Sequence, residues 1–387
     1  MKSWTTSRFA TRACAVAAGA LLACAAAAQG LAPGEYKLGF ITENTGPLAA
    51  AGNSYWNGAQ LAVEEVKSSK YLGDGASIVL DPKESGSDAA RAIQNMNQFI
   101  ADRSVIATSC CILSPVANSL KPIVTEQKMP LVIYGATAAG LPALPYVYNM
   151  TILPSPKEIA TANAVADAIK PKTAAYIVAD DNEAFKGRMA AVQKAMEAKG
   201  VTTAGVVNVL TRDTDFTAAA TQAMGLKSGV ILVYATQGAA AGAITALRDR
   251  GYTKTIVGND VLSPAAVYKK MGSSVVGVPF PVGFSDSVAE TPEAKAFVSA
   301  YNAKFKSPPD IYSAQGYEVV WLMAQALKSM QGKPTRETLA TALSNVKSLD
   351  HQVYGGEQMN NGQAETSGTQ IVMWSDDGKL VRWTPSK

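Results

Sequence analysis

Two adjacent cysteines, Cys110 and Cys111, lie in the segment ATSCCILSPVANSLKP (residues 107–122), at the end of an apolar run. In an oxidising compartment such a pair is able to close an eight-membered disulfide ring. Ordinary disulfide geometry requires a longer Cα separation than neighbouring residues provide, which disfavours the ring. Two thiols beside a ligand and two core side chains are the alternatives, and the sequence leaves all three open.

The residues that follow the pair are typical of a helix start. Ser114 is a common N-cap residue type, and Pro115 would then occupy the first helical position, where a proline loses no hydrogen bond. The first turn of a helix presents unpaired N–H groups at the positive end of the helix dipole. The pattern therefore predicts that a small anion such as a carboxylate binds here.

A second loop, YGATAAG (residues 134–140), follows the next predicted strand. Gly135 allows a ligand to approach the backbone, and the Thr137 hydroxyl is able to donate or accept a hydrogen bond. Ligands of open parallel sheets bind beyond the carboxyl ends of the strands, so we expect the two loops to hold one acidic group. The alternative is that both loops are ordinary strand-to-helix turns.

Three loops in the second half of the chain face these two in a parallel topology: DDNEAFKGR, YATQG and GND. Phe185, in the first of them, is interpreted either as a pocket wall or as a residue that packs on its own helix. Asp260 either pairs with a ligand ammonium or caps a helix that begins near Ser263-Pro264. Sequence alone favours capping.

Apolar runs of strand length alternate with segments of helical periodicity from residue 36 onward, which is typical of βαβ units around a parallel sheet. Strands are predicted at 36–42, 77–81, 104–108, 130–134, 173–180, 201–210, 230–235, 255–260 and 275–282. Ser87 is predicted to be the N-cap of the helix after the second strand. The tail is predicted to form a hairpin with Asp377-Gly378 in its turn.

Residues 1–28 are predicted to be a secretory signal peptide, because basic residues precede an apolar stretch that leads into an alanine run. Cleavage after Ala28 gives a periplasmic protein. Leu21-Leu22-Ala23-Cys24 also resembles a lipobox, in which Cys24 becomes a lipidated first residue. The alanines after Cys24 favour plain export over this lipid anchor.

Composition excludes several classes of protein. Loss of the leader removes three of the 35 basic residues, and the remaining 32 against 31 acidic residues give a net charge of +1, which argues against a nucleic-acid partner. With His351 as the single histidine, a histidine metal cluster is impossible. No GxGxxG follows a predicted strand and no phosphate-loop GxxxxGK[ST] occurs, so we expect neither an enzyme nor a cofactor.

Three segments in order, TENTGPLAAAGNSYWNGAQLAVEEV, SPVANSLKPIV and MPLVIYGATAAGL, resemble the type I periplasmic binding proteins of the Leu/Ile/Val-binding family, which serve ABC importers. The similarity continues through VILVYATQGAAAGAITALRDRGY and TIVGNDVLSPAA and extends over nearly the whole mature chain. No single motif among these is diagnostic, and the ordered set carries the resemblance.

The resemblance implies an α/β fold of two Rossmann-like lobes with parallel central sheets, joined by a three-crossover hinge and closing like a Venus flytrap. Lobe 1 is expected to comprise residues 35–151 and 282–365, and lobe 2 residues 152–281 and 366–387. A chain of about 359 mature residues exceeds the size at which one core usually splits in two, which agrees with two lobes.

The resemblance also implies a binding site between the lobes. Together with the loops described above, it predicts the ligand-binding residues Cys111, Ser114, Gly135, Ala136, Thr137, Phe185, Gln237, Asp260 and Tyr312. The first loops would hold a carboxylate, Asp260 an ammonium, and Tyr312 would cover the side-chain pocket. Amino-acid binders of the family often carry serine where this chain has cysteines, so a 2-oxo acid or an aromatic acid is the alternative to an amino acid.

The predicted function is therefore capture of a small hydrophobic or aromatic carboxylate by an exported monomer. The ligand is either a branched-chain-type amino acid or a related 2-oxo or aromatic acid. The closed form would be presented to an ABC permease in the inner membrane. A ligand-sensing module of a signalling receptor is the first alternative, and an exported enzyme is the less favoured one.

Overall fold

The computed structural model describes residues 1, 30–46, 48–353, 357–366 and 369–385. The predicted signal peptide and Cys24 lie outside these residues. Within the described part of the chain, no helix has both the length and the apolar composition needed to cross a bilayer.

The chain alternates strands and helices along most of its length. The strands are β1 (Gly34–Thr42), β2 (Ala76–Glu84), β3 (Val105–Cys110), β4 (Leu131–Ile133), β5 (Val147–Asn149), β6 (Thr173–Ala179), β7 (Thr202–Val209), β8 (Val230–Tyr234), β9 (Ile256–Val257), β10 (Phe280–Val282), β11 (Glu357–Asn360), β12 (Gln363–Thr366), β13 (Gln370–Trp374) and β14 (Leu380–Arg382). The α-helices are α1 (Ala49–Ser68), α2 (Ala89–Ala101), α3 (Ser114–Glu126), α4 (Pro154–Ile169), α5 (Glu183–Ala198), α6 (Thr217–Gly225), α7 (Gln237–Asp249), α8 (Ala265–Met271), α9 (Pro292–Phe305), α10 (Ile311–Lys328) and α11 (Arg336–Asn345).

Two parallel sheets form the centres of the two halves. The first has seven strands in the order β11-β12-β5-β4-β3-β1-β2, parallel except for the β11–β12 pair. The second has the order β7-β6-β8-β9 and is parallel throughout. Strands β3 and β8 are buried along their whole length, as expected for parallel strands with helices on both faces. The predicted α/β class with parallel central sheets is confirmed.

A three-stranded antiparallel sheet, β10-β13-β14, adjoins the second half. The strands β13 and β14 are the predicted terminal hairpin. The chain crosses between the halves three times: after β5, after β10, and between β12 and β13. This is the three-crossover connection that the family resemblance implied, while the residue boundaries of the two lobes stay a prediction.

Hydrogen bonds connect the three crossovers to one another. The side-chain amide of Gln363, the first residue of β12, donates to the Thr151 carbonyl in the first crossover at 2.7 Å. The side-chain amide of Gln370, the first residue of β13, donates to the Val288 carbonyl in the second crossover at 3.1 Å. The strands on either side of the third crossover are therefore each bonded to one of the other two.

Helices α1 and α10 approach each other through glycines. A Cβ on Gly58 would lie 1.9 Å from the Ser313 carbonyl oxygen, and one on Gly316 would lie 2.0 Å from the Tyr55 carbonyl oxygen. Only glycine permits backbones to pack this closely. The close crossing brings Tyr55 and Tyr312 to the same edge of the molecule, with ring centroids 5.4 Å apart.

Two predicted N-caps are displaced by one residue. The N-cap of α2 is Asp88, whose carboxylate accepts from the Arg91 N–H at 2.8 Å, and not Ser87. The N-cap of α3 is Leu113, so Ser114 is the first helical residue. In both cases the serine hydroxyl bonds to another part of the chain: Ser87 donates to the Glu43 carboxylate, and Ser114 accepts from the 137–138 loop.

The predicted strand at 275–282 is largely wrong. Residues Gly272–Val275 form a 3₁₀ turn, and only Phe280–Val282 are a strand. Gly277 lies between them with a φ of 71°, a left-handed conformation that interrupts an extended segment.

Candidate functional site

A cavity of about 300 Å³ lies between elements of the two halves, at the low end of the sizes usual for small-ligand sites. It is lined by Tyr55, Ile112, Gly135, Thr137, Thr151, Ile152, Pro154, Lys157, Asp260, Ser263, Val282, Gly283, Phe284, Ile311, Tyr312 and Gln315. Larger depressions of about 590 and 680 Å³ each take their lining from one half only. The shared cavity is the candidate site, because it lies beyond the ends of strands in both sheets.

Cys110 and Cys111 are joined by a disulfide bond, and both are fully buried. Their sulfur atoms do not line the cavity. Their carbonyls accept the N–H groups of Tyr134 and Gly135 at 2.9 and 3.1 Å. The backbone of the pair therefore supports the second predicted loop.

The Glu43 side chain connects the loop after β3 to the loop after β4. Sequence analysis did not predict this residue for the site. The buried carboxylate accepts the Ile112 N–H at 2.7 Å and the Tyr134 hydroxyl at 3.2 Å. An acid directly after the first strand was the available signal, since strand ends in parallel sheets border the ligand site.

The two predicted lobe 1 loops do meet. The Ser114 hydroxyl accepts the N–H groups of Thr137 and Ala138 at 3.2 and 3.0 Å. Gly135 and Thr137 line the cavity, whereas Ala136 is buried behind them and Ser114 is not part of the lining. Because backbone N–H groups of this loop are engaged within the protein, the Thr137 side chain is the donor that we predict for a ligand carboxylate.

Asp260 lines the cavity, but its carboxylate already has cationic partners. Its Oδ1 lies 2.6 Å from Arg188 Nη2, and its Oδ2 lies 3.9 Å from Lys157 Nζ. Burial raises the pKa of Asp260, but the charges of Arg188 and Lys157 outweigh this effect and hold the pKa below its ordinary value. Helix capping, which sequence alone favoured, is wrong: α8 begins after Pro264 without a side-chain cap.

Glu158 and Lys157 complete a buried group of two acids and two bases. Arg188 binds the Glu158 carboxylate with two nitrogen atoms, one of them Nε at 2.9 Å. Burial raises the pKa of Glu158 to about 7 despite this pairing. Burial also lowers the pKa of Lys157, and the Arg188 charge adds to that effect. Burial alone would lower the pKa of Arg188, yet Asp260 and Glu158 raise it above the ordinary value.

Of the predicted site residues Tyr312, Phe185 and Gln237, only Tyr312 lines the cavity. Tyr312 lines the cavity and is 41% exposed, as a cover residue would be. Phe185 is buried in the core of the second half, with the Arg188 guanidinium 5.1 Å from its ring centroid, and is not part of the lining. Gln237 is the exposed first residue of α7 and also lies outside the lining. Their roles with a ligand stay predictions.

Sequence analysis also missed Thr151 and Lys157. Both follow β5: Thr151 lies at the first crossover and Lys157 in the first turn of α4. A lysine charge in the first turn is repelled by the positive end of the helix dipole. This unfavourable position was the sequence signal that could have identified Lys157.

Comparison with known proteins agrees with this architecture. The family profile described as periplasmic binding protein matches residues 35–379. The Leu/Ile/Val-binding protein BraC3 of Rhizobium johnstonii is 26% identical over 358 residues, with 91% of this chain and 94% of that protein covered.

Two solved structures are similar over about nine-tenths of the chain. The LivJ substrate-binding protein of a Streptococcus pneumoniae branched-chain amino acid transporter, solved with isoleucine, has a TM-score of 0.70 at 26% identity and covers 90% of this chain and 98% of its own. A solute-binding protein of R. palustris, solved with 4-hydroxybenzoate, has a TM-score of 0.71 at 19% identity and covers 90% and 95%.

The family consists of solute-binding proteins of the periplasm and not of enzymes, which confirms the expectation drawn from the missing catalytic motifs. Because the profile spans almost the entire described chain and the fold has the same two-sheet plan, this chain belongs to the periplasmic binding protein family, as a type I member related to Leu/Ile/Val-binding proteins.

Proposed function

We propose that this protein is the periplasmic substrate-binding component of an ABC importer. It captures a small hydrophobic or aromatic carboxylate between its two halves and presents the closed form to a permease in the inner membrane. The observation that carries this proposal is the cavity shared by both halves, with the Thr137 loop on one side and Lys157 and Asp260 on the other.

The size and lining of the cavity support a ligand of this class. Its apolar members, which include Ile112, Ile152, Phe284 and Ile311, suit a hydrophobic side chain or ring. Its polar members come from several different elements, which would fix the orientation of a bound ligand. Micromolar capture requires about 8 kcal/mol, which a few charge-assisted hydrogen bonds and one buried side chain are able to supply.

Thermal-shift screening followed by calorimetry tests the proposal. The mature protein is screened against amino acids, 2-oxo acids and aromatic acids, and we expect at least one acid to raise the melting temperature and to bind with micromolar affinity. The proposal is wrong if no small carboxylate binds, or if a bound acid is found in a crystal outside this cavity.

Export is tested separately by intact-mass measurement of the protein recovered from the periplasm. Cleavage after Ala28 gives an unmodified chain that begins at Gln29. A mass that includes lipid on Cys24 would instead show the anchored form.

A further inference from the structure

The buried ammonium of Lys157 faces the cavity with unused hydrogen-bonding capacity. The residue is only 3% exposed and lines the cavity, and its one ion pair is the long contact of 3.9 Å to Asp260. Among the described residues it donates no hydrogen bond. A lysine ammonium carries three donor hydrogens, so a ligand is able to satisfy what the protein leaves open.

The position of Lys157 is unfavourable for a lysine unless it has an anionic partner. It lies in the first turn of α4, at the positive end of the helix dipole, and the first turn contains no acidic residue. Burial penalises its charge, and Arg188 lies nearby as a second cation. Residues that oppose local rules in this way are expected mainly at functional sites.

Thr151 provides a second, independent observation. Its hydroxyl is buried without a hydrogen-bond partner among the described residues, and the residue is 3% exposed and lines the same cavity. An unsatisfied buried hydroxyl is unfavourable, and a ligand acceptor would remove that cost. Lys157, in the first turn of α4, and Thr151, at the first crossover, therefore both offer unused donors to this cavity.

Asp260 is not free to hold a ligand ammonium. Arg188 occupies one of its oxygens at 2.6 Å and Lys157 faces the other. Lys157 and Asp260 are the only charged residues in the cavity lining of the described chain. An ammonium in this cavity would have to compete with two protein cations for one carboxylate.

We propose that the ligand is an acid with a second hydrogen-bond acceptor next to its carboxylate, a keto or hydroxyl group, and without an ammonium group. Lys157 and Thr151 bind this acceptor. This inference rests on the proposed function, since it specifies which small carboxylate the cavity accepts.

A matched series of ligands tests the proposal by calorimetry. The series is leucine, the 2-oxo acid and the 2-hydroxy acid with the same side chain, and the same acid with no substituent at that carbon; a second series has the phenylalanine side chain. In at least one series we expect the oxo or hydroxy acid to bind at least tenfold more tightly than both the amino acid and the unsubstituted acid.

Two substitutions test whether Lys157 and Thr151 cause the preference for an oxo or hydroxy acid. Lys157→Met keeps the aliphatic chain and removes the donors, and Thr151→Val keeps the shape and removes the hydroxyl. Each is expected to reduce the preference for the oxo or hydroxy acid over the unsubstituted acid by tenfold or more. Two variants are used so that misfolding of one, detected by loss of its cooperative melting transition, leaves the other to decide.

Asp260→Asn separates this proposal from ammonium recognition. It removes the carboxylate that competes for Lys157, so we expect tighter binding of the oxo or hydroxy acid by a few-fold. Ammonium recognition requires the opposite, a large loss of affinity for the amino acid.

The outcomes distinguish failure of this inference from failure of the proposed function. If acids bind but the amino acid binds most tightly, or if both Lys157→Met and Thr151→Val leave the preference intact, the inference is overturned and the proposed function stands. If no acid in either series binds, the proposed function fails and the inference fails with it.

Discussion

We predict that the Thr137 hydroxyl binds the ligand carboxylate. Thr137 lines the cavity, and its backbone N–H is already bonded to Ser114. Thr137→Val should weaken binding of the carboxylate ligand by about 1 to 3 kcal/mol, because a charged acceptor loses a hydrogen-bond donor. Calorimetry with the best ligand from the screen measures the loss.

Thr214→Val is the matched control, because Thr214 is exposed and lies outside the cavity lining. We expect it to leave the affinity unchanged. Equal affinities for Thr137→Val and the unsubstituted protein would contradict the role assigned to Thr137.

Glu158 makes stability depend on pH in a specific direction. Burial raises its pKa in the folded protein from 4.5 to about 7, so between these values the folded state binds more protons than the unfolded state. Stability that is present below about pH 4.5 is therefore lost as the pH rises through about 7. The fall should be on the order of 1 to 3 kcal/mol.

Glu158→Gln removes this titration. Urea unfolding of the ligand-free protein at a series of pH values should show a flatter profile for the variant than for the unsubstituted protein. Glu126→Gln, at an exposed position, serves as the control and should preserve the original slope. A profile for Glu158→Gln that still falls as steeply would show that other groups cause the dependence.

At the scale of elements, the close crossing of α1 and α10 positions Tyr55 and Tyr312, which both line the cavity. Gly316→Ala would place a Cβ 2.0 Å from the Tyr55 carbonyl oxygen, so the helices must move apart. We expect a loss of about 1 to 3 kcal/mol in the free energy of unfolding, together with weaker ligand binding, because Tyr55 lines the cavity.

Gly187→Ala is the matched change in α5, where a Cβ would meet nothing within 4 Å. It should stabilise the protein slightly, by about 0.5 to 1 kcal/mol, since alanine favours helix more than glycine does. If Gly316→Ala behaves like Gly187→Ala, the close helix crossing is not as described.

The alternation of apolar runs was sufficient to predict most strands and the parallel sheets, because a buried strand is recognisable from the apolar residues of its own segment. The order of the strands in each sheet is not local. Arg188 is 30 positions from Glu158 and 72 positions from Asp260 in the sequence. The three residues meet because β6, β8 and β9 are neighbours in the second sheet. The pairing of Asp260 with protein cations was therefore beyond sequence reasoning.

The cysteine pair shows the same limit at shorter range. Its place at the end of a strand was predictable from the apolar run and the helix start that follow one another there. That its carbonyls, and not its sulfur atoms, support the ligand loop depends on the register of β3 with β4, which pairs Cys110 with Ile133. A shift of one residue would turn different groups towards the cavity.

At the scale of the whole molecule, two halves joined at three places should close by bending. Ligand contacts to Thr137 on one side and to Lys157 on the other are both satisfied only when the halves approach, so ligand should favour the closed form. Small-angle scattering with and without saturating ligand should show a smaller radius of gyration in the bound state. An unchanged radius would mean that capture does not involve closure.

The hydrogen bonds from Gln363 to Thr151 and from Gln370 to Val288 attach the strands on either side of the third crossover to the first and second crossovers. If a protease cleaves one of the three crossovers, we therefore expect the two fragments to stay associated. Such a nicked protein should elute from gel filtration at its original position and separate into fragments only in denaturant.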